Sequence, residues 1–78
     1  MNQQFPHTRL VYVLTIRNSG EEDDIYLFYH YKDACEQVFE YFDMLEKDTD
    51  PVKELDDLEE WLFEYDKGYF SIFSTNVH

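Results

Sequence analysis

Hydrophobic positions along the chain follow two different periods. Over residues 9–17, Leu10, Val11, Tyr12, Val13, Leu14 and Ile16 are aliphatic, β-branched or aromatic at nearly every position. Such side chains suit a pleated strand. A strand apolar on both faces belongs in the middle of a sheet. Asn18-Ser19-Gly20 is turn chemistry, because Asn and Gly tolerate positive φ. Glu21-Glu22-Asp23-Asp24 extends the turn, and residues 25–29 read as the returning strand of a hairpin. Residues 69–75 read as a third strand.

Between the hairpin and the last strand the period changes to helical. Over residues 32–47, Ala34, Val38, Tyr41, Phe42 and Leu45 recur at three and four positions and make one stripe, which Cys35 and Phe39 widen. Glu36, Glu40, Asp43 and Glu46 occupy much of the remainder. Asp48-Thr49-Asp50-Pro51 breaks the pattern, with Asp50 predicted as an N-cap and Pro51 as the first helical residue. A second helix follows over residues 52–65, with Val52, Leu55, Leu58, Leu62 and Tyr65 as its stripe. Gly68 is the expected left-handed residue after its end.

The element order is therefore ββααβ, an α+β fold with a three-stranded antiparallel or mixed sheet and two helices packed on one face. Residues 1–78 read as a single acidic domain, with residues 1–8 a flexible polar lead-in. No repeat, linker or low-complexity segment interrupts it.

Both faces of the sheet are apolar. One parity holds Leu10, Tyr12, Leu14, Ile16, Tyr26, Phe28, Phe70 and Ile72; the other holds Val11, Val13, Ile25, Leu27, Tyr29, Tyr69 and Phe73. Two helices cover one face only. The second is then either an aromatic surface for a partner or a second copy of the chain, or is covered by Phe5, the termini or a splayed second helix.

Charge changes the picture further. Seventy-eight residues carry eighteen carboxylates against six lysines and arginines, a net charge of −12. Solubility needs only about 2–8 net charges in a small domain, and self-repulsion destabilises a compact state. The charge is also localised. Residues 19–66 hold eighteen acids against three lysines, a net of −15, and the remainder is +3. Solvated helix faces ordinarily mix Lys with Glu in i,i+4 pairs, and here Lys is nearly absent. Acids one turn apart on a helix are separated by about 6 Å of rise, near the spacing of phosphates along a nucleic-acid strand. Glu36, Glu40, Asp43 and Glu46 on the first helix, with Asp56, Asp57, Glu59, Glu60 and Glu64 on the second, are thus candidates to face a basic, nucleic-acid-binding protein. Trp61 and Phe63 flank Leu62, and one of the two rings reaches the margin of the acidic surface as an apolar anchor, the anatomy of a binding hot spot. The competing reading is two ordinary solvated faces, with a broad apolar side packed under the sheet. Direct contact with nucleic acid or an anionic membrane is disfavoured by repulsion.

The candidate chemistry is sparse. The single cysteine, Cys35, excludes an internal disulfide and a thiolate zinc site, and it fits a reducing cytoplasm. Residues 1–6 lack a basic start and an apolar run, and no stretch approaches the roughly 20 apolar residues of a membrane span. Cys35 and His30 lie close in sequence, but no third residue is placed to orient them. The chain has only two glycines, so it offers no phosphate loop. Asp48, Asp50 and Glu59 match positions 1, 3 and 12 of a calcium loop, yet Val52 and Lys53 stand where an oxygen ligand and Gly are needed. No catalytic residue, metal site or cofactor is expected.

In size and composition, the runs Glu21-Glu22-Asp23-Asp24 and Glu54-Leu55-Asp56-Asp57-Leu58-Glu59-Glu60 resemble those of small phage-encoded inhibitor proteins. These include nucleic-acid mimics that block restriction, repair or CRISPR effectors. The resemblance implies a protein target in the host cytoplasm and transfers no residue roles. The resulting expectation is a non-enzymatic, anti-defence inhibitor that occupies a basic site on its target. The alternative is a small structural or regulatory adaptor that binds or dimerises through the aromatic sheet face.

Overall fold

A computed structural model describes residues 9–77; the predicted lead-in at residues 1–8, and Phe5 with it, lies outside the described residues. The elements are β1 (Arg9–Asn18), β2 (Asp24–Phe28), α1 (Tyr31–Tyr41), α2 (Leu55–Tyr65) and β3 (Gly68–Val77). The order is ββααβ, and the sheet runs β2-β1-β3 with both pairs antiparallel. The strand that is apolar on both faces takes the centre, where both of its edges are paired.

Register sorts the two parities onto two faces. Leu14 stands opposite Tyr26 and Ile72, and Ile16 opposite Phe70. These side chains meet Cys35, Val38 and Phe39 of α1 and Leu55, Leu58 and Leu62 of α2 in one core. Helix α1 lies against β1 and β2, and α2 against β3. On the other parity, Val13 sits between Leu27 and Phe73. Val11 is buried there, but Leu27 is 67% exposed and Ile25 is 66% exposed.

Both helices are shorter than the pattern predicts. Helix α1 ends at Tyr41, six residues before the expected end at 47. Asp43 turns left-handed (φ 58°). Its N–H donates to the Glu40 carbonyl at 3.0 Å, and the Met44 N–H donates to the Phe39 carbonyl at 2.7 Å. This pair of bonds closes the helix and returns Met44 to the core. Continuing the helix would have added Glu46 to the acids already at the negative end of its dipole. Leu45 consequently leaves the stripe and is exposed, and the buried positions of α1 are Ala34, Cys35, Val38 and Phe39. The Tyr41 hydroxyl donates to Asp24 at 2.9 Å, tying the end of α1 to the start of β2.

Helix α2 starts at Leu55 because the Asp50-Pro51 signal caps a separate turn. Asp50 Oδ1 accepts the Lys53 N–H at 3.3 Å, and the Glu54 carboxylate accepts the Asp50 N–H at 2.8 Å. Val52 is thereby left exposed, as is Tyr65 at the far end. At that end Asp66, not Gly68, takes the left-handed position (φ 52°), and the Lys67 N–H donates to the Leu62 carbonyl at 3.0 Å. Gly68 opens β3 instead. A Cβ there would overlap the Arg17 carbonyl oxygen and stand 2.7 Å from the Phe42 ring. Close approach, with a φ of +158° that other residues rarely adopt, is the reason for this glycine.

Candidate partner-binding surface

Helix α2 carries the densest set of predicted contacts. Leu55, Leu58 and Leu62 are buried under the sheet. At 100° per residue the opposite arc holds Asp57, Glu60 and Glu64, while Asp56, Glu59 and Phe63 fall on the flank between that arc and the core. All five carboxylates are exposed. None of them is in an ion pair among the described residues, where the salt bridge is Arg17–Asp23 at 2.8 Å in the hairpin. The hydrogen bond and charge of Asp23 push the Arg17 guanidinium pKa still higher.

The two candidate rings separate. Trp61 is half-buried, packed against the core and 5.8 Å from the Tyr65 ring. Phe63 is 87% exposed. Leu62 fixes the inward direction, and its neighbours diverge from it by about 100° on either side. Of the two rings, Phe63 is therefore the one exposed beside the acids.

The set predicted on the first helix is not held together. Glu36 is half-buried and Glu40 exposed, one turn apart on α1. Asp43 sits in the left-handed position after the helix, and Glu46 lies in the connector, where its N–H donates to Thr49 Oγ1 at 3.0 Å. A continuous row of four acids along α1 is thus corrected to a pair. With α1 under β1 and β2 and α2 under β3, the two acidic sets form separate flanks.

Two features escaped the sequence reading. The first is a hollow of about 440 Å³ between the Phe63 flank of α2 and the start of β3, lined by Glu59, Leu62, Phe63, Asp66, Tyr69 and Phe70 among others. A second hollow, of about 390 Å³, continues from it, sharing Glu59, Tyr69 and Phe70 and adding Leu55, Asp56 and Ile72. The second feature is Arg17, whose guanidinium lies 5.0 Å over the Tyr69 ring at the hollow's rim. The uncharged run at residues 68–77 gave no sign of an edge strand, because edges usually carry charge or proline, so strand order was needed to find the groove.

Cys35 is fully buried. Burial pushes its thiol pKa up, and a hydrogen bond from the Tyr31 hydroxyl offsets this only in part. A protonated, enclosed thiol is not a nucleophile. His30 stands at the N-cap of α1 without a side-chain cap bond. Among the described residues no group of three or more His, Cys, Asp or Glu side chains is placed to hold a metal ion. No helix among them is long and apolar enough to cross a membrane. Comparison with family models, curated proteins and solved structures finds no match to this chain.

Proposed function

We propose that this chain is a non-enzymatic protein-binding inhibitor whose α2 face docks on a basic, nucleic-acid-binding surface of a partner protein. The carboxylates of Asp56, Asp57, Glu59, Glu60 and Glu64 take the place of phosphates, and Phe63 enters an apolar pocket among them. One observation carries the reading: an 87% exposed Phe63 stands on the same helix as five exposed carboxylates that form no ion pairs among the described residues. An exposed aromatic ring gains by burial in a partner, and an uncompensated acidic rim gives charge complementarity and fast association. By chemistry the partner class is a DNA- or RNA-handling protein, such as the restriction or CRISPR effectors blocked by phage inhibitors of similar composition.

The test is capture of proteins from a bacterial lysate on the immobilised chain at low and high salt, beside the Glu59→Lys/Glu60→Lys double variant. Basic nucleic-acid-handling proteins released by salt and absent from the variant support the proposal. The same proteins retained equally by wild type and variant refute it. The Glu36→Lys/Glu40→Lys double variant has the smaller effect, because its acids lack an anchor ring and a continuous row.

A second reading has its own observation. Ile25 and Leu27 on β2 are each about two-thirds exposed, and Phe73 is 53% exposed on the same sheet face. Contact through this face, with an adaptor partner or a second copy, is nearly independent of salt and is abolished by Leu27→Lys. Sedimentation of both proteins over a concentration series at low and high salt separates it from the first reading.

A further inference from the structure

Among the described residues, the sheet order leaves β3 with a free edge over ten residues, and no residue of this strand is charged or proline. Natural sheets usually blunt such an edge with charge, proline or a covering element. The backbone groups that it exposes can be identified. The Ser19 N–H donates to the Lys67 carbonyl at 3.1 Å, so residues 19 and 67 are a hydrogen-bonded pair in the register that joins Arg17 to Tyr69 and Val13 to Phe73. Antiparallel pairs alternate between bonded and non-bonded. Tyr69, Ser71, Phe73 and Thr75 therefore turn their N–H and C=O groups to β1. Phe70, Ile72, Ser74 and Asn76 turn theirs outward.

The second hollow follows this edge, and the first adjoins it at the start of β3, where Arg17, Ser19 and Gly20 of β1 and its turn also line it. Consecutive residues 69 and 70 line the first, and residues 69–72 line the second. Alternate side chains of a strand point to opposite faces, so a hollow touching four in a row runs along the strand's unpaired side. Its far wall is the flank of α2, with Asp56, Glu59 and Asp66 as charges and Leu55 and Phe63 as apolar surface. Arg17, the cation at its rim, is paired to Asp23.

We infer that this groove binds an extended basic segment of a partner protein as a fourth strand along β3. Main-chain bonds to Phe70 and Ile72 supply affinity, as in strand addition generally. The pleat gives specificity. Side chains of the added strand that point toward α2 meet Asp56, Glu59 and Asp66 and are Lys or Arg. Those pointing to the open face lie beside Tyr69 and Phe73 and are apolar. The recognised pattern is thus alternating basic and apolar. A second copy of the chain is a poor occupant, since its own β3 brings no cation to an acidic wall. The inference rests on the acidic α2 reading and adds the conformation and pattern of the segment bound.

The probe is a capped octapeptide of alternating Arg and Val, compared with a peptide of the same composition in two blocks. The ¹⁵N-labelled full chain is titrated with each, and amide exchange is followed residue by residue. In the free protein the Phe70, Ile72 and Ser74 amides exchange fast and those of Ser71 and Phe73 slowly. Saturation with the alternating peptide slows the fast set by roughly tenfold or more, as expected for newly paired strand amides. N-methylation of the peptide at every second residue abolishes binding in one phase of methylation and spares it in the other, and leaves the protein untouched. Asp56→Lys/Glu59→Lys weakens the alternating peptide by roughly tenfold or more at low salt.

Equal binding of block and alternating peptides, lost in the charge-reversed protein but without edge protection, overturns strand addition and leaves the acidic-face reading standing. Binding indifferent to the charge reversal overturns both. No binding of the alternating peptide, or edge protection that rises with protein concentration alone, overturns the inference.

Discussion

Replacing Phe63 by alanine separates folding from binding. Phe63 is 87% exposed, whereas the adjacent Leu62 is 1% exposed and sits in the core. Folding therefore uses almost none of the apolar surface of Phe63 and nearly all that of Leu62. Phe63→Ala leaves stability within about 0.5 kcal/mol, the usual range for surface changes. Leu62→Ala costs about 2–5 kcal/mol through lost burial and the cavity left behind. Against the roughly 4–12 kcal/mol expected for a chain of this length, the second change approaches unfolding, and at about 4–8 °C per kcal/mol it lowers Tm by 8 °C or more. Affinity reverses the ranking. Full burial of a Phe side chain in a partner is worth about 1.5–3 kcal/mol, so Phe63→Ala weakens the complex by roughly ten- to a hundredfold. Urea melts give the stability of each variant, and surface plasmon resonance against the captured partner gives affinity at matched folded fraction. A Phe63→Ala protein that is as stable as wild type and binds equally well refutes the anchor.

The two glycines differ in the same experiment. Gly68→Ala costs about 1–3 kcal/mol by overpacking against the Arg17 carbonyl and the Phe42 ring, in addition to the strain of its φ of +158°, whereas Gly20→Ala meets no atom within 4 Å and pays only for its φ of +83°; a Gly68→Ala urea midpoint no lower than that of Gly20→Ala counts against the fold where β3 starts beside the end of β1. Asp66→Gly stabilises the chain by about 0.5–1.5 kcal/mol, because it relieves a left-handed non-glycine residue and removes an acid from the negative end of α2; a lower urea midpoint contradicts this. Alkaline pH destabilises the fold. Burial raises the thiol pKa of Cys35 and the hydroxyl pKa values of Tyr31 and Tyr41, so each group binds its proton more tightly folded than unfolded. Their stabilisation is complete below the unfolded values, which start at about 8.5 for the thiol, and it is lost as pH rises through the higher folded ones. The urea midpoint falls between pH 8 and 11, and Cys35→Ala removes the earliest part of the fall; a flat midpoint over this range, or an unchanged profile in the variant, refutes the assignment.

The central place of β1 was legible because Val11, Val13, Leu14 and Ile16 leave it no polar face, and a strand of that kind is stable only with neighbours on both sides. The core of α2 was legible from Leu55, Leu58 and Leu62. The ends of both helices were not. Asp43 and Asp66 adopt a backbone conformation that the sequence advertises only when Gly or Asn stands there, and Gly68, the visible candidate, serves a packing contact with Arg17 and Phe42. Shortening α1 then dissolved the row through Asp43 and Glu46. Trp61 and Phe63 are symmetric about Leu62 in the sequence, and only the position of α2 under β3 decides which is free. The groove joins residues from α2 and β3 across a strand order that the pattern left open.

Competition by nucleic acid tests the central claim most directly. Partner protein bound to the immobilised chain is challenged with a short DNA duplex and with RNA of matched length, at constant ionic strength. The account predicts that one of these releases the partner in a concentration-dependent way and that the Glu59→Lys/Glu60→Lys variant never captured it. A partner that binds nucleic acid and the chain simultaneously, with neither weakening the other, contradicts it.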